Sequence, residues 1–441
     1  MSSAVTLRHH RRRTALVAGG LLALLSACGG SGSGGKAATT GGGSGSSEPV
    51  KVGSMLDETG PLNIYGKAMS DATKLAISDI NAKGGVNGRM LQLVSYDAQS
   101  DNAKYTQYAT TLAQKDKVAV VMGGITSASR EAIRPILDRT KTLYFYNEQY
   151  EGGVCDKNTF NTGVVPSQQL AALVPYALNK YGKKVYVLAA DYNYGRISTQ
   201  WVQKYATENG GSVVKSEFIP LESSDFGSVI NNLQAGRPDV VMSLLVGGNH
   251  IAFYRQYAST GLNKTLPLVS ATFGLGNEQV VLSPAEDKGV VIATPYIQSL
   301  DNPENKRFVA LWHKQYGVNY SYISDSAVTA WNGWHLWAAA ANAAKSVDRT
   351  AVTKALEAGI SIDAPSGKVT MDGKSHHVTQ SVSIGETNST HPRVHGPRQQ
   401  GQRATRLRAE GLRPLRQTHH KQAVHALTCM VTSSSTSRPR C

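Results

Sequence analysis

The strongest constraint on this chain is an alternation that runs from residue 49 to residue 387, in which short apolar runs bounded by turn residues are followed by longer amphipathic stretches. Such runs suit strands covered on both faces, and the amphipathic stretches supply the covering helices, so the pattern predicts repeated βα units around parallel sheets. Residues 50–56 read as the first strand. The segment 65–83 then sets Ala68, Met69, Ala72, Leu75, Ala76 and Ile80 at helical spacing and stops at Gly84-Gly85. Strands near 91–96, 118–122 and 143–146 follow, with helices near 102–115 and 127–139 between them. A second series begins after Pro166, with a helix near 168–181, strands at 185–190, 213–219 and 240–245, and helices near 197–208 and 249–260. Farther on, 326–344 predicts a long helix rich in Ala and Trp, and 367–383 alternates as a hairpin does. This span exceeds the size at which one hydrophobic core usually divides. The expected fold class is therefore α/β, with two doubly wound, Rossmann-like lobes. A ligand would sit in the cleft outside the carboxyl ends of the strands.

The ends of the chain obey different rules. Residues 1–27 carry a basic stretch, Arg8-His9-His10-Arg11-Arg12-Arg13, and then an apolar run too short to span a bilayer, which is the pattern of a signal peptide. The run closes on Leu25-Ser26-Ala27-Cys28, which resembles a bacterial lipobox, so Cys28 is the expected lipidation site. Residues 28–48 form the anchor and a Gly- and Ser-rich tether that buries too little apolar surface to fold. Residues 388–441 lose the hydrophobic pattern and become rich in Arg, His and Gln, with Glu410 their only acid. Of the formal charge of +15, this tail and the signal arginines carry most, leaving about +2 for the segment between. With no aromatic residue for base stacking and no periodic face, the tail reads as disordered and not as a nucleic-acid-binding element. The abrupt change of composition fits out-of-frame coding sequence. Cys28, Cys155, Cys429 and Cys441 do not form a disulfide framework.

No constellation for chemistry emerges. There is no HExxH, no paired CxxC, no GxSxG and no Walker glycine loop, and the histidines show no metal-ligand spacing, so neither a metal nor a cofactor is expected. Of twelve histidines, five lie in the tail and two in the signal, which leaves His250, His313 and His335 apart from the His376-His377 pair. Binding is better supported. Gly123-Gly124-Ile125-Thr126-Ser127-Ala128-Ser129 is a glycine turn leaving a strand and entering a helix, where N–H groups and hydroxyls favour a carbonyl oxygen or an anion. Tyr144, Tyr146 and Tyr150 flank Asn147-Glu148-Gln149 at a strand end, and Asp191-Tyr192-Asn193-Tyr194-Gly195-Arg196 follows the first strand of the second series. Tyrosines there give an apolar wall with a hydroxyl at its rim, suited to a small polar solute.

These motifs, together with Gln149-Tyr150-Glu151-Gly152 and Ser299-Leu300-Asp301-Asn302-Pro303-Glu304-Asn305-Lys306, resemble the urea and short-chain amide binding proteins, within the branched-chain amino-acid type (type I) solute-binding proteins of ABC importers. The resemblance runs from about Val50 to Gly385. It implies two lobes joined by three crossings, with lobe 1 at 49–164 and 296–360, lobe 2 at 165–295, and a hairpin at 361–387 returning to lobe 2. It also implies an ABC permease and its ATPase as partners, attachment to the extracytoplasmic face of the membrane through the lipid anchor, and binding without catalysis. Carried across residue by residue, the amide-contacting positions are Ser127, Tyr146, Glu148, Tyr192 and Tyr194, with Thr272 in Ser270-Ala271-Thr272-Phe273 as a further candidate.

Two departures matter. Asn147-Glu148 stands where the family carries a neutral residue after a proline, and a buried carboxylate is costly unless paired. Either Glu148 faces solvent or the solute brings N–H donors or positive charge, which leaves urea, an amide, a guanidine compound, an amine or a small or branched-chain amino acid open. The basic tail takes the place of the strands with which such domains finish. The reading from another class is an amidase-like enzyme.

Overall fold

The computed structural model describes residues 48–387, apart from Cys155 and Ser321. The predicted signal, Cys28 and its tether, and the tail from 388 lie outside the described residues.

The apolar runs fold as anticipated into strands, and the strands collect into two sheets. In chain order they are β1 (Val50–Leu56), β2 (Leu91–Asp97), β3 (Val120–Gly123), β4 (Leu143–Tyr146), β5 (Thr159–Asn161), β6 (Lys184–Ala190), β7 (Ser212–Ile219), β8 (Val240–Leu244), β9 (Leu268–Ser270), β10 (Val291–Thr294), β11 (Ser361–Ala364), β12 (Gly367–Asp372), β13 (His377–Thr379) and β14 (Ser383–Glu386). The first sheet runs β11-β12-β13-β5-β4-β3-β1-β2 and the second β14-β10-β9-β8-β6-β7. The chain changes sheet three times, between β5 and β6, between β10 and β11, and between β13 and β14. Pairings from β2 through β5 and from β7 through β10 are parallel, whereas β11, β12 and β14 pair antiparallel at the edges. Strands such as β3, β4 and β8 are buried along their whole length, which is why they read as continuous apolar runs.

One expectation is overturned here. The alternating segment after Asp363 was expected to return to the second lobe, but β11, β12 and β13 belong to the first sheet, where His377 pairs with Asn161 of β5. Alternation reports a half-buried hairpin without saying which sheet edge it extends. Val369, Met371 and Val378 are buried here, and the His376 ring stacks on Phe160 with centroids 4.1 Å apart. Only β14 crosses to the second sheet, pairing with β10.

Helices cover both sheets. The helix Asn63–Ala82 is anchored by Asp79, whose carboxylate accepts from His335 (2.9 Å), Arg307 (2.8 Å) and Lys83 (2.9 Å). Burial alone would raise that acid, and these hydrogen bonds instead hold it well below the usual carboxylate range. The long helix Asp325–Ala344 buries Trp331, Trp334 and Trp337, and Trp334 Nε1 donates to Thr73 Oγ1 at 3.1 Å. The expected helix over 102–115 splits into an α-helix, Asn102–Thr110, and a π-helical turn, Thr111–Asp116, that sinks Leu112 against Gly53. Among the described residues no helix is long and apolar enough to cross a membrane.

Candidate functional site

In each sheet the strand order reverses once beside the first parallel strand, between β1 and β3 and between β6 and β8, and the loops leaving the strand ends there open a crevice. The turn after β3 needs its glycines. Gly123 has φ of +147° and packs so closely on β1 that a Cβ would lie 2.0 Å from the Met55 carbonyl oxygen. Thr126 then caps the helix Ser127–Arg139 by accepting from the Ser129 N–H at 3.1 Å. The equivalent turn after β6 starts the helix Asn193–Glu208, where a Cβ on Gly195 would sit 2.0 Å from the Ala190 oxygen.

These loops face one another across a pocket lined by Tyr65, Ile125, Glu148, Gln149, Tyr192, Tyr194, Val246, Thr272 and Leu275. About 280 Å³ between them is free of protein atoms, counting the part open to solvent. The lobes are drawn together around it. Gly247 N–H donates to Tyr65 Oη at 2.8 Å, Gln149 Nε2 to Tyr194 Oη at 2.7 Å, and Trp201 Nε1 to the Glu151 carbonyl at 3.1 Å.

One acidic side chain, Glu148, lines the pocket, and the carboxyls of Glu278 and Asp325 lie close enough behind it to interact with it. Burial pushes the Glu148 carboxyl up to about 8, against the hydrogen bonds it accepts from Ser326 Oγ (2.6 Å) and the Gln149 N–H (2.9 Å). Burial likewise pushes Glu278 and Asp325 up to about 7. A carboxyl held neutral can donate as well as accept. No Lys, Arg or His lines the pocket. The nearest buried guanidinium, Arg130, is committed to Glu151 at 2.8 Å and lies over the rings of Tyr146 and Tyr150. Among the described residues no group of three or more His, Cys, Asp or Glu could hold a metal ion.

Of the residues singled out in the sequence, Glu148, Tyr192, Tyr194 and Thr272 line the pocket. Ser127 and Tyr146 stand behind it. The Ser127 hydroxyl is taken by the Glu151 carboxylate, and Tyr146 is fully buried, with its hydroxyl donated to the Ile125 carbonyl at 2.6 Å. Both therefore hold the wall in place, and neither is among the residues that line this pocket, where they were expected. A strand-end tyrosine can point into the cleft or beneath the sheet, and the pleat decides which. Asn147 donates to Thr162 Oγ1 at 2.8 Å and is also buried away from the pocket. Tyr65, Ile125, Gln149, Val246 and Leu275 were missed. Tyr65 could have been found, because it follows β1 as Tyr192 and Tyr194 follow β6. The aliphatic members carry no such signal.

Two α/β lobes with a pocket between facing strand ends define a two-lobed solute-binding protein. The comparisons agree. A periplasmic binding protein domain model matches residues 50–391, and the chain belongs to that family, with the type I fold. It is 26% identical over 351 residues to Leu/Ile/Val-binding protein homolog 6 of Brucella melitensis, covering 77% of this chain and 88% of that one. In fold it is similar to a solute-binding protein of an ABC transporter from Rhodopseudomonas palustris BisB5 in complex with 3,4-dihydroxybenzoic acid. That match has a TM-score of 0.70 and 23% identity and covers 77% and 93% of the two chains. The branched-chain amino acid transporter substrate-binding protein of Streptococcus pneumoniae, in complex with isoleucine, gives a TM-score of 0.68 at 20% identity, covering 77% and 97%.

Proposed function

We propose that this chain is the extracytoplasmic solute-binding lipoprotein of an ABC importer, anchored through Cys28, and that its cleft captures a small amide-like solute, urea or a short-chain amide. One observation carries the choice of solute: the pocket holds the buried Glu148 carboxyl and no cationic side chain. A free carboxylate entering it would meet no counter-charge, whereas a neutral molecule rich in N–H groups meets hydroxyl, carboxyl and amide partners. Closure follows from differential contact. Solute touching Glu148 in one lobe and Tyr192, Tyr194 and Thr272 in the other favours the closed form, which is then presented to the permease and its ATPase.

A second reading, an aliphatic amino acid, is favoured by the apolar wall of Ile125, Val246 and Leu275, with Glu148 accepting from the ammonium group. A thermal-shift series with urea, formamide, acetamide, leucine and benzoate separates them, because a solute bound only by the native state raises its melting temperature. Stabilisation by urea or the amides is expected. Stabilisation by leucine or benzoate alone would overturn the amide reading.

A further inference from the structure

Gln149 and Tyr194 come from different lobes, one from the loop after β4 and the other from the first turn after β6, and both line the pocket. They are 6% and 5% exposed, and Gln149 Nε2 donates to Tyr194 Oη at 2.7 Å. That bond uses the phenol as an acceptor. Among the described residues no hydrogen-bond partner meets Gln149 Oε1, while the Tyr194 hydroxyl also has the Ser198 side chain within hydrogen-bonding reach. The cleft therefore sets a buried, unmet acceptor, Gln149 Oε1, beside a buried hydroxyl that can turn its proton from Ser198 to a solute.

We propose that Gln149 and Tyr194 together read the amide edge of the solute, Gln149 Oε1 accepting its N–H and Tyr194 Oη donating to its carbonyl oxygen. The inference rests on the amide reading above and adds to it a rule of specificity. A primary amide or urea offers a carbonyl and an N–H side by side and satisfies both groups. A carboxylate opposes oxygen to the Gln149 oxygen, and an N,N-dialkylated amide has no N–H to give. Leaving a buried polar group unmet is more costly than the net value of one hydrogen bond, so discrimination of about tenfold or more is expected from this pair. Because the two residues belong to opposite lobes, the reader is complete only when the cleft is shut. Recognition and closure are then one event.

The test is calorimetric titration of the full chain with acetamide and N,N-dimethylacetamide, in the wild type and in Tyr194→Phe and Gln149→Leu, with melting curves to confirm folding. Tyr194→Phe keeps the ring wall and serves if Gln149→Leu does not fold. The wild type is expected to prefer acetamide by about tenfold or more; Gln149→Leu is expected to lose about tenfold in acetamide affinity while binding of the dimethyl compound changes by less than about threefold, and Tyr194→Phe to weaken both solutes by a similar factor of about tenfold, because both keep the carbonyl oxygen. Retention of the preference in folded Gln149→Leu, or an unchanged acetamide affinity in folded Tyr194→Phe, overturns the assignment and leaves the amide reading standing. Failure of the wild type to bind acetamide or urea at all overturns both.

Discussion

Replacing Glu148 by Gln tests the electrostatics of the pocket without a solute. The wild-type carboxyl accepts from Ser326 Oγ and the Gln149 N–H and is pushed up to about 8 by burial, against about 4.3 for a glutamate in an unfolded chain. The folded state therefore binds the proton more tightly than the unfolded state. Between those two values the unfolded chain gains by ionising and the folded protein does not, so stability falls as pH rises, by about 1.4 kcal/mol per pH unit. Carried from pH 5 to pH 7, the penalty grows by about 2 to 3 kcal/mol. Glutamine does not titrate. Its Oε1 can still accept from the backbone, and its Nε2 can face Ser326 at a pH-independent cost of about 1 kcal/mol. Glu148→Gln is thus expected to gain on the wild type by about 3 °C in melting temperature between pH 5 and pH 7, given the entropy of unfolding of a chain of this size. Scanning calorimetry of ligand-free protein measures it. Heat is the right denaturant, because urea and guanidinium both carry the N–H groups the cleft is proposed to bind. A melting difference that stays constant over that pH range would refute the reasoning, and would mean that Glu148 is solvated in the free protein.

The same logic with the opposite sign applies to Asp79, whose depressed carboxyl contributes stability that is present above about pH 4 and fades as pH falls further. Asp79→Ala strips partners from His335 and Arg307 and is expected to lower stability by about 3 kcal/mol at pH 7, a loss that calorimetry would show shrinking toward pH 2. Trp201→Phe removes the donor to the Glu151 carbonyl across the cleft while keeping an aromatic ring; solute affinity should fall about two- to tenfold by titration, and an unchanged affinity would show that this bond does not favour closure.

Relatives of this chain are named for branched-chain amino acids, and its structural neighbours hold isoleucine or a hydroxylated benzoate, so the fold alone does not select a solute. Selection falls to a few side chains at the strand ends. In this chain those side chains present a buried acid and an amide where a carboxylate-binding site would want a cation.

Local sequence determined the strand and helix inventory of both lobes, because hydrophobic period and buried apolar runs are written residue by residue: β1 and β4 begin and end where their patterns do, and the helix Ser127–Arg139 begins behind its glycine turn. The turn after β3 and the tyrosine pair after β6 were also legible, since a tight turn demands glycine and loops at strand ends are where such sheets place their sites. Only the tertiary structure decided which sheet edge takes β11 to β13, which tyrosines face the cleft, and that Gln149 meets Tyr194 from the opposite lobe. Each of those depends on pairing between segments far apart in the chain, and no local period encodes the partner or the direction of the side chain that meets it.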